Sequence, residues 1–546
     1  MNRLGISAGA SARWLFVGAL AALAIACGSD PSPNQPGAGG SGGEWGTGAA
    51  GGTGGMGNTG GMGNTGGMGG SGGMGNTGGM GGSGGMGGSG GMGGSGGMGG
   101  SGGMGGSGGM GGSGGMGNMG SQPVKALAVG GFHSCALLSD GRLKCWGHNY
   151  GGQLGVGDEN IRGDEPGEMG DQLPAVDLGT GKSPVAISLG QYFSCALLND
   201  GTVKCWGDSY RGQLGQGDTQ RRGGAPNQMG DALPAINLGT GAIAVAVSAS
   251  TSGGFACALL QGGAVKCWGE NFKGQLGLGD TNHRGDEPGE MGDALPAVDL
   301  GTGKKAIAIV TGYSNACALL DDFSVKCWGE GLYGQLGLGD KNGRGDEPGE
   351  MGDALPAVDL GTGGIVHAIA AGAAHNCVLL STGRVKCWGS NHHGALGLGN
   401  STLALGDEPG EMGDMLPDVD LGTGKMVKSI RVEHHYTCAV LDDDSVKCWG
   451  EGMYGNLGQG NKNILGDNPG EMGDALLPVD LGAGKTVSAV APGLYHTCAL
   501  LTDGSVKCWG NSGNGQLGQG DKSTRGDEPG EMGDNLPTVN LGSAAP

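Results

Sequence analysis

Beyond residue 122 the chain settles into short apolar runs separated by glycine-rich breaks. VAISLG (185–190), SCALL (194–198) and TVKCWG (202–207) carry apolar side chains in alternation or in brief unbroken runs. None holds the period of a helix, so with AVDLG (175–179) they predict four short strands per cycle. Between the last two, Asn199-Asp200-Gly201 fits a three-residue hairpin loop, a type I turn closed by a left-handed glycine. The cycle repeats seven times. CALLSDGRLKCWG at Cys135 returns at Cys195, Cys257, Cys317, Cys377, Cys438 and Cys498, at spacings of 60, 62, 60, 60, 61 and 60 residues. Phe323 and Asp444 replace the loop glycine in two copies, which predicts strained or altered turns there. Residues 123–546 therefore read as one repetitive all-β domain.

The hairpin sets the cysteine chemistry. Counting outward from the loop, Leu137 faces Leu143, Ala136 faces Lys144 and Cys135 faces Cys145. If the loop-flanking pair is hydrogen-bonded, the cysteines form a non-hydrogen-bonded pair with Cα atoms about 4.5 Å apart, within disulfide range. The same count pairs Cys195 with Cys205, Cys257 with Cys267, Cys317 with Cys327, Cys377 with Cys387, Cys438 with Cys448 and Cys498 with Cys508. Zinc on these cysteines is disfavoured, because each hairpin supplies two thiolates and no short ligand knuckle. Seven local disulfides point to an oxidising compartment.

The fifteenth cysteine, Cys27, follows Arg3, Arg13 and an apolar run from Trp14 to Ile25. A basic start and a short apolar core describe an export signal over residues 1–26. LAIAC resembles the lipobox of bacterial lipoproteins, which makes Cys27 a lipidation candidate, although Ala24 stands where leucine is usual. An ordinary cleaved signal with an incidental cysteine is the alternative. Residues 27–122 are a linker in which 51–120 hold 43 glycines and no charge, with methionine every six residues from Met56 to Met116. Such a segment buries too little apolar surface to fold and predicts a disordered tether of roughly 50–60 Å. The net charge of −21 makes nucleic acid an unsuitable partner and leaves the lipid anchor as the one expected membrane contact.

At the level of motifs, the repeat resembles the regulator-of-chromosome-condensation repeat. The matching residues are Gly130 with His133 and Ser134, the Leu-x-x-Asp-Gly turn, and the Trp-Gly-x-Asn-x-x-Gly-Gln-Leu-Gly run from Trp146 to Gly155. The resemblance implies a seven-bladed β-propeller. The segment LPTVNLG (536–542) is then the C-terminal strand that closes the first blade. The founding member's guanine-nucleotide exchange is not expected to carry over. It relies on an inserted wedge and a basic tail, whereas no copy here exceeds its neighbours by more than two residues and the tail is uncharged.

Alternation of strands puts the GTGK and xDG turns on one face and the GxxHS loops with the long connection after Trp-Gly on the other. The second face collects Tyr150, Tyr210, Phe272, Tyr333, His392, His393 and Tyr454, in a chain with 6 Phe and 8 Tyr. Around the GxxHS loops come Phe132, Tyr192, Phe255, Tyr313, Tyr436 and Tyr495. Rigid aromatic anchors of this kind dominate binding surfaces. His133, His375 and His496 share a repeat position with Phe193, which favours packing over metal or catalysis. Asp164, Glu165, Glu168 and Asp171 have calcium-ligand chemistry. Copy two, GGAPNQMGD, loses three of the four carboxylates at unchanged length, so turn structure is favoured. The expected protein is an exported monomer, lipid-anchored at the outer membrane or cell surface, without metal or cofactor. It would bind an extracytoplasmic protein or glycan without catalysis. The alternative, an enzyme with a site in the central funnel, needs polar residues unique to one or two blades, and none stands out in the sequence.

Overall fold

The computed structural model describes residues 123–400 and 402–543, within one compact unit. The signal segment, Cys27 and the glycine-rich tether lie outside the described residues. In the first repeat, β1 (Val124–Val129), β2 (His133–Leu138) and β3 (Leu143–Gly147) form an antiparallel sheet in that order. The other six repeats build the same three strands, and the fifth adds a two-residue fourth strand, Ala404–Leu405. Seven sheets make a seven-bladed propeller. Among the described residues, helical structure is confined to short 3-10 turns such as Gly170–Gln172.

The hairpin register is the one the cysteine count requires: Leu137 opposes Leu143, Ala136 opposes Lys144 and Cys135 opposes Cys145. All seven local disulfides are present, with Cα separations of 4.0–4.1 Å, and no bridge links two blades among the described residues. Phe323 and Asp444 keep the left-handed backbone of the glycines they replace, at φ 67° and 64°. The turn geometry is thus retained and the strain is local.

The AVDLG segments depart from the expected strand. Ala175 makes a single bridge to Lys144 of its own blade, and the Val176 amide donates to the Leu143 carbonyl. The Asp177 carbonyl then accepts from the Gly230 amide of the next repeat, at 3.0 Å. The segment is shared between two blades, so it cannot pair continuously with either.

That sharing runs around the whole ring. At the seam, Val539 donates to Val506 of the last blade, while the Asn540 carbonyl accepts from Gly170 and Ser543 is bonded to Asp171 of the first. Residues 538–543 thus join the seventh blade to the first. Apolar packing closes there too, with Leu127, Val129, Leu138 and Trp146 against Ala491, Cys498, Leu500 and Leu541 in one buried cluster. The Trp indole of each repeat donates to a carbonyl of the preceding blade: Trp146 to Gln516, Trp206 to Gln153 and Trp268 to Gln213, at 2.9–3.0 Å. Gly155 sits at φ 68°, and a Cβ there would come within 2.6 Å of the Trp206 indole nitrogen. Leu-Gly in each repeat makes room for the next tryptophan.

A lysine in the VKCWG strand completes the lock. Lys144 Nζ donates to the carbonyls of Gly170 and Leu541, and Lys326 Nζ to those of Leu300 and Gly352. Desolvation holds both ammonium groups below their usual pKa. Lys326→Met would keep the apolar stem and strand two carbonyls. The expected loss is about 2–3 kcal/mol in equilibrium denaturation. The exposed Lys304→Met, which loses only an ion pair with Asp322, should change stability little. Removing one bridge by Cys317→Ala with Cys327→Ala should cost about 2–3 kcal/mol by the loop-closure argument, read in the same assay.

Candidate binding face

The loop between the first two strands and the exit of the third emerge together, because the residue after Trp-Gly bonds back to that loop in every blade. His148 donates to the Phe132 carbonyl, Asp208 to Tyr192 and Glu451 to His435, at 2.9–3.0 Å. The xDG and GTGK turns occupy the opposite end, tied by ion pairs such as Lys182–Asp200. The long acidic connection starts at the aromatic end and runs along the outer edge. Arg162 bridges Gly147 near one end, and Ala175 bridges Lys144 further along the same strand.

Rings at the first end form a continuous arc through six blades. Tyr192 stacks on Phe132 at 5.5 Å, Phe132 lies 6.3 Å from Tyr495, and Tyr495 contacts both Tyr454 and His434. From His434 the contacts pass to His435, His393, His392 and Tyr333. Tyr150 joins through His148 and is 60 % exposed. Tyr210 and Phe272 belong to a neighbouring group, with the Arg211 guanidinium over both rings at 5.7 and 5.0 Å. All seven candidate residues lie at this end. Tyr150, Tyr210, Phe272, Tyr333 and His392 are exposed, and His393 and Tyr454 are partly so. Of the loop aromatics, Phe255 and Tyr436 are instead fully buried.

His133, His375 and His496 are packing residues. They are buried, and each Nε2 pairs with a hydroxyl of a neighbouring blade: Ser194, Thr437 and Ser134 respectively. Burial lowers each pKa to about 3. The carboxylates of the long connection also have structural partners. Glu168 accepts the amides of Gly163, Asp164 and Glu165, and Asp231 caps Thr180. In copy two Gln228 accepts two of the equivalent amides, which explains how that copy keeps its turn without the charge.

The sequence reading missed a polar group unique to the sixth repeat. Where five other copies have a glycine, at Gly130, Gly190, Gly312, Gly372 and Gly493, this one has Glu433, followed by His434. Glu433 is fully buried and accepts from Thr251 Oγ1 at 2.9 and 3.1 Å. Thr251 belongs to the two-residue excess of copy three, so the contact joins loops three blades apart. Beside it, His393, His435 and Glu451 bring their donor atoms within 4.8 Å of one another. Burial works to raise the Glu451 pKa, but the imidazoles of His434, His435 and His393 prevail and hold it below its usual value. The convergent polar group His393, His435 and Glu451, drawn from blades five and six, was not expected from the sequence. Comparing the seven copies at the position of Gly130 would have exposed Glu433.

A seven-bladed ring with a repeated Gly-x-x-His/Trp-Gly frame defines a class, and the comparisons identify it. The regulator of chromosome condensation (RCC1) repeat matches residues 124–153, 185–213, 245–275, 366–395 and 487–516. Five of the seven repeats thus match the RCC1 repeat. The ultraviolet-B receptor UVR8 of Arabidopsis thaliana is 29% identical over 406 residues, covering 74% of this chain and 80% of UVR8. The human E3 ubiquitin-protein ligase HERC2 is 28% identical over 385 residues, covering 70% of this chain and 7% of the ligase. Among solved structures, yeast RCC1 (Prp20) bound to Kap60 has a TM-score of 0.51 at 19% identity, covering 68% of this chain and 78% of that one. Human WBSCR16 has a TM-score of 0.52 at 19% identity, covering 70% and 88%. These structural likenesses establish the fold.

The buried histidines make stability pH-dependent. Unfolded imidazoles protonate near 6.5 and these near 3, so across that window the unfolded chain binds more protons. Stability present above pH 6.5 is lost as the pH falls, at up to about 1.4 kcal/mol per pH unit for each histidine. His496→Phe, which copies Phe193 at the same repeat position, should flatten the pH 4–6 slope by about that amount in urea denaturation.

Proposed function

We propose that the chain is an exported, lipid-anchored, non-enzymatic propeller that binds an extracytoplasmic protein or glycan through its aromatic end. The arc of partly exposed rings carries this reading. It runs from Tyr192 to Tyr333, and its residues change from blade to blade while the opposite turns repeat nearly unchanged. Seven similar turns offer seven similar surfaces, whereas a varied rim offers one asymmetric site. Stapled hairpins hold the rim in place and reduce the ordering cost of binding.

Relatives support the partner class. Yeast RCC1 is seen with Kap60, and the structure of Prp20p from Saccharomyces cerevisiae is described with its binding to Gsp1p and histones. Seven disulfides and the basic-apolar segment before Cys27 support export, and Cys27 itself the lipid anchor. Thr251 and Glu433 meet inside the ring at the aromatic end, which disfavours a catalytic funnel there. A net charge of −21 disfavours nucleic acid.

Pull-down with the full chain from cell-envelope extracts identifies the partner. Replacing Tyr150, Tyr210 and Phe272 with alanine should then weaken that partner at least tenfold, about 1.4 kcal/mol, without changing the melting temperature. Equal weakening by Lys182→Ala with Asp200→Ala, at the opposite end, would contradict the assignment.

A further inference from the structure

We propose that His393, His435 and Glu451 hold a divalent transition-metal ion of the zinc class at the rim between the fifth and sixth blades. The three donors come from three segments. His393 lies in the loop after the third strand of blade five, His435 between the first two strands of blade six, and Glu451 just after Gly450. Folding alone brings one imidazole nitrogen from each histidine and a carboxylate oxygen within 4.8 Å of one another. A tetrahedral ion with bonds of about 2.0–2.2 Å needs donors about 3.4 Å apart, a closure that side-chain rotation supplies.

The donor set selects the metal class. Two imidazoles and one carboxylate suit zinc and its neighbours, whereas calcium and magnesium take oxygen ligands. Three protein ligands leave a fourth position for water or for a donor from a bound molecule. Glu451 is nearly buried, and both histidines are partly exposed, so the open position faces solvent. His434 Nδ1 lies 3.5 Å from Glu451 Oε2, where it can orient the carboxylate from behind.

Repeat comparison adds an independent observation. The place of His435 is taken by Phe132, Tyr192, Gly254, Ser314, Ala374 and Tyr495 in the other blades, and that of His393 by Gly151, Arg211, Lys273, Tyr333, Tyr454 and Asn514. The two histidines therefore arise at one inter-blade junction and nowhere else in the ring. His393 is also held at φ 61° and His434 at φ 32°, a left-handed backbone that disfavours side chains. Packing alone would be served without strain by the glycines found at these positions in blade one.

The test uses the full chain without a polyhistidine tag, stripped of metal and titrated with Zn2+ by calorimetry at pH 7. One ion per chain is expected, with micromolar or tighter affinity, no comparable heat from Ca2+ or Mg2+, and a higher melting temperature with zinc. His435→Phe and Glu451→Gln should each weaken binding at least tenfold, and His367→Ala, on an exposed strand position, should not. His393→Gly restores the residue of blade one. It should abolish zinc stabilisation while leaving the metal-free protein at least as stable. Absence of saturable zinc binding, or wild-type affinity in the His393 and His435 variants, would overturn the site. Either result leaves the partner-binding reading untouched, since that is read from the Tyr150, Tyr210 and Phe272 variants, which hold none of the three ligands.

Discussion

The indole N–H of each repeat's tryptophan ends on a carbonyl of the blade before it, and the lysine two residues earlier helps lock the same junction. A buried N–H without a partner costs roughly 1–3 kcal/mol, so an open ring would leave one junction with several such costs at once. Three-stranded blades with no closing neighbour would also expose apolar faces built to be covered. Closure between Asn540 and Gly170 is the same bond that joins Asp177 to Gly230, which makes the seam equivalent to the other six junctions. The frame depends on every junction being satisfied together.

A frame of this kind separates stability from recognition. Cysteines, tryptophans, lysines and glycines do the same work in seven places, and their replacement in any one would disturb two blades. The residues just past Trp-Gly and in the loop before the second strand bear no such duty. They are free to differ, and they do so at one end of the ring: Tyr150, Arg211, Phe272, Tyr333, His393 and Tyr454. The opposite end is occupied by repeated Thr–Asp and Lys–Asp contacts, such as Thr180 with Asp231. Variation is concentrated where the backbone is already fixed by its own hydrogen bonds.

Local order was legible in the sequence wherever one hairpin determines it. Cys135 opposite Cys145, the left-handed turn at Phe323 and the aromatic end all follow from counting residues along two adjacent strands. Features that need two blades were not legible by the same means. The AVDLG segments are divided between neighbours, and the buried lysines look like surface charge until the next blade covers them. His393, His435 and Glu451 stand 42 and 16 residues apart in turn, and only the junction geometry joins them. Glu433 did carry a signal, as a departure from the glycine of Gly130, Gly190, Gly312, Gly372 and Gly493.

The central claim is that the varied end is the recognition surface of an otherwise uniform ring. Site-specific photo-crosslinking in cells tests it most directly, with a photoreactive residue placed at Tyr150, Leu332 or Tyr454 and, in parallel, at Lys182, Lys304 or Lys485. The account predicts one common crosslinked species from the first three positions and none from the second three. A shared species from the lysine positions, with the aromatic end silent, would contradict it.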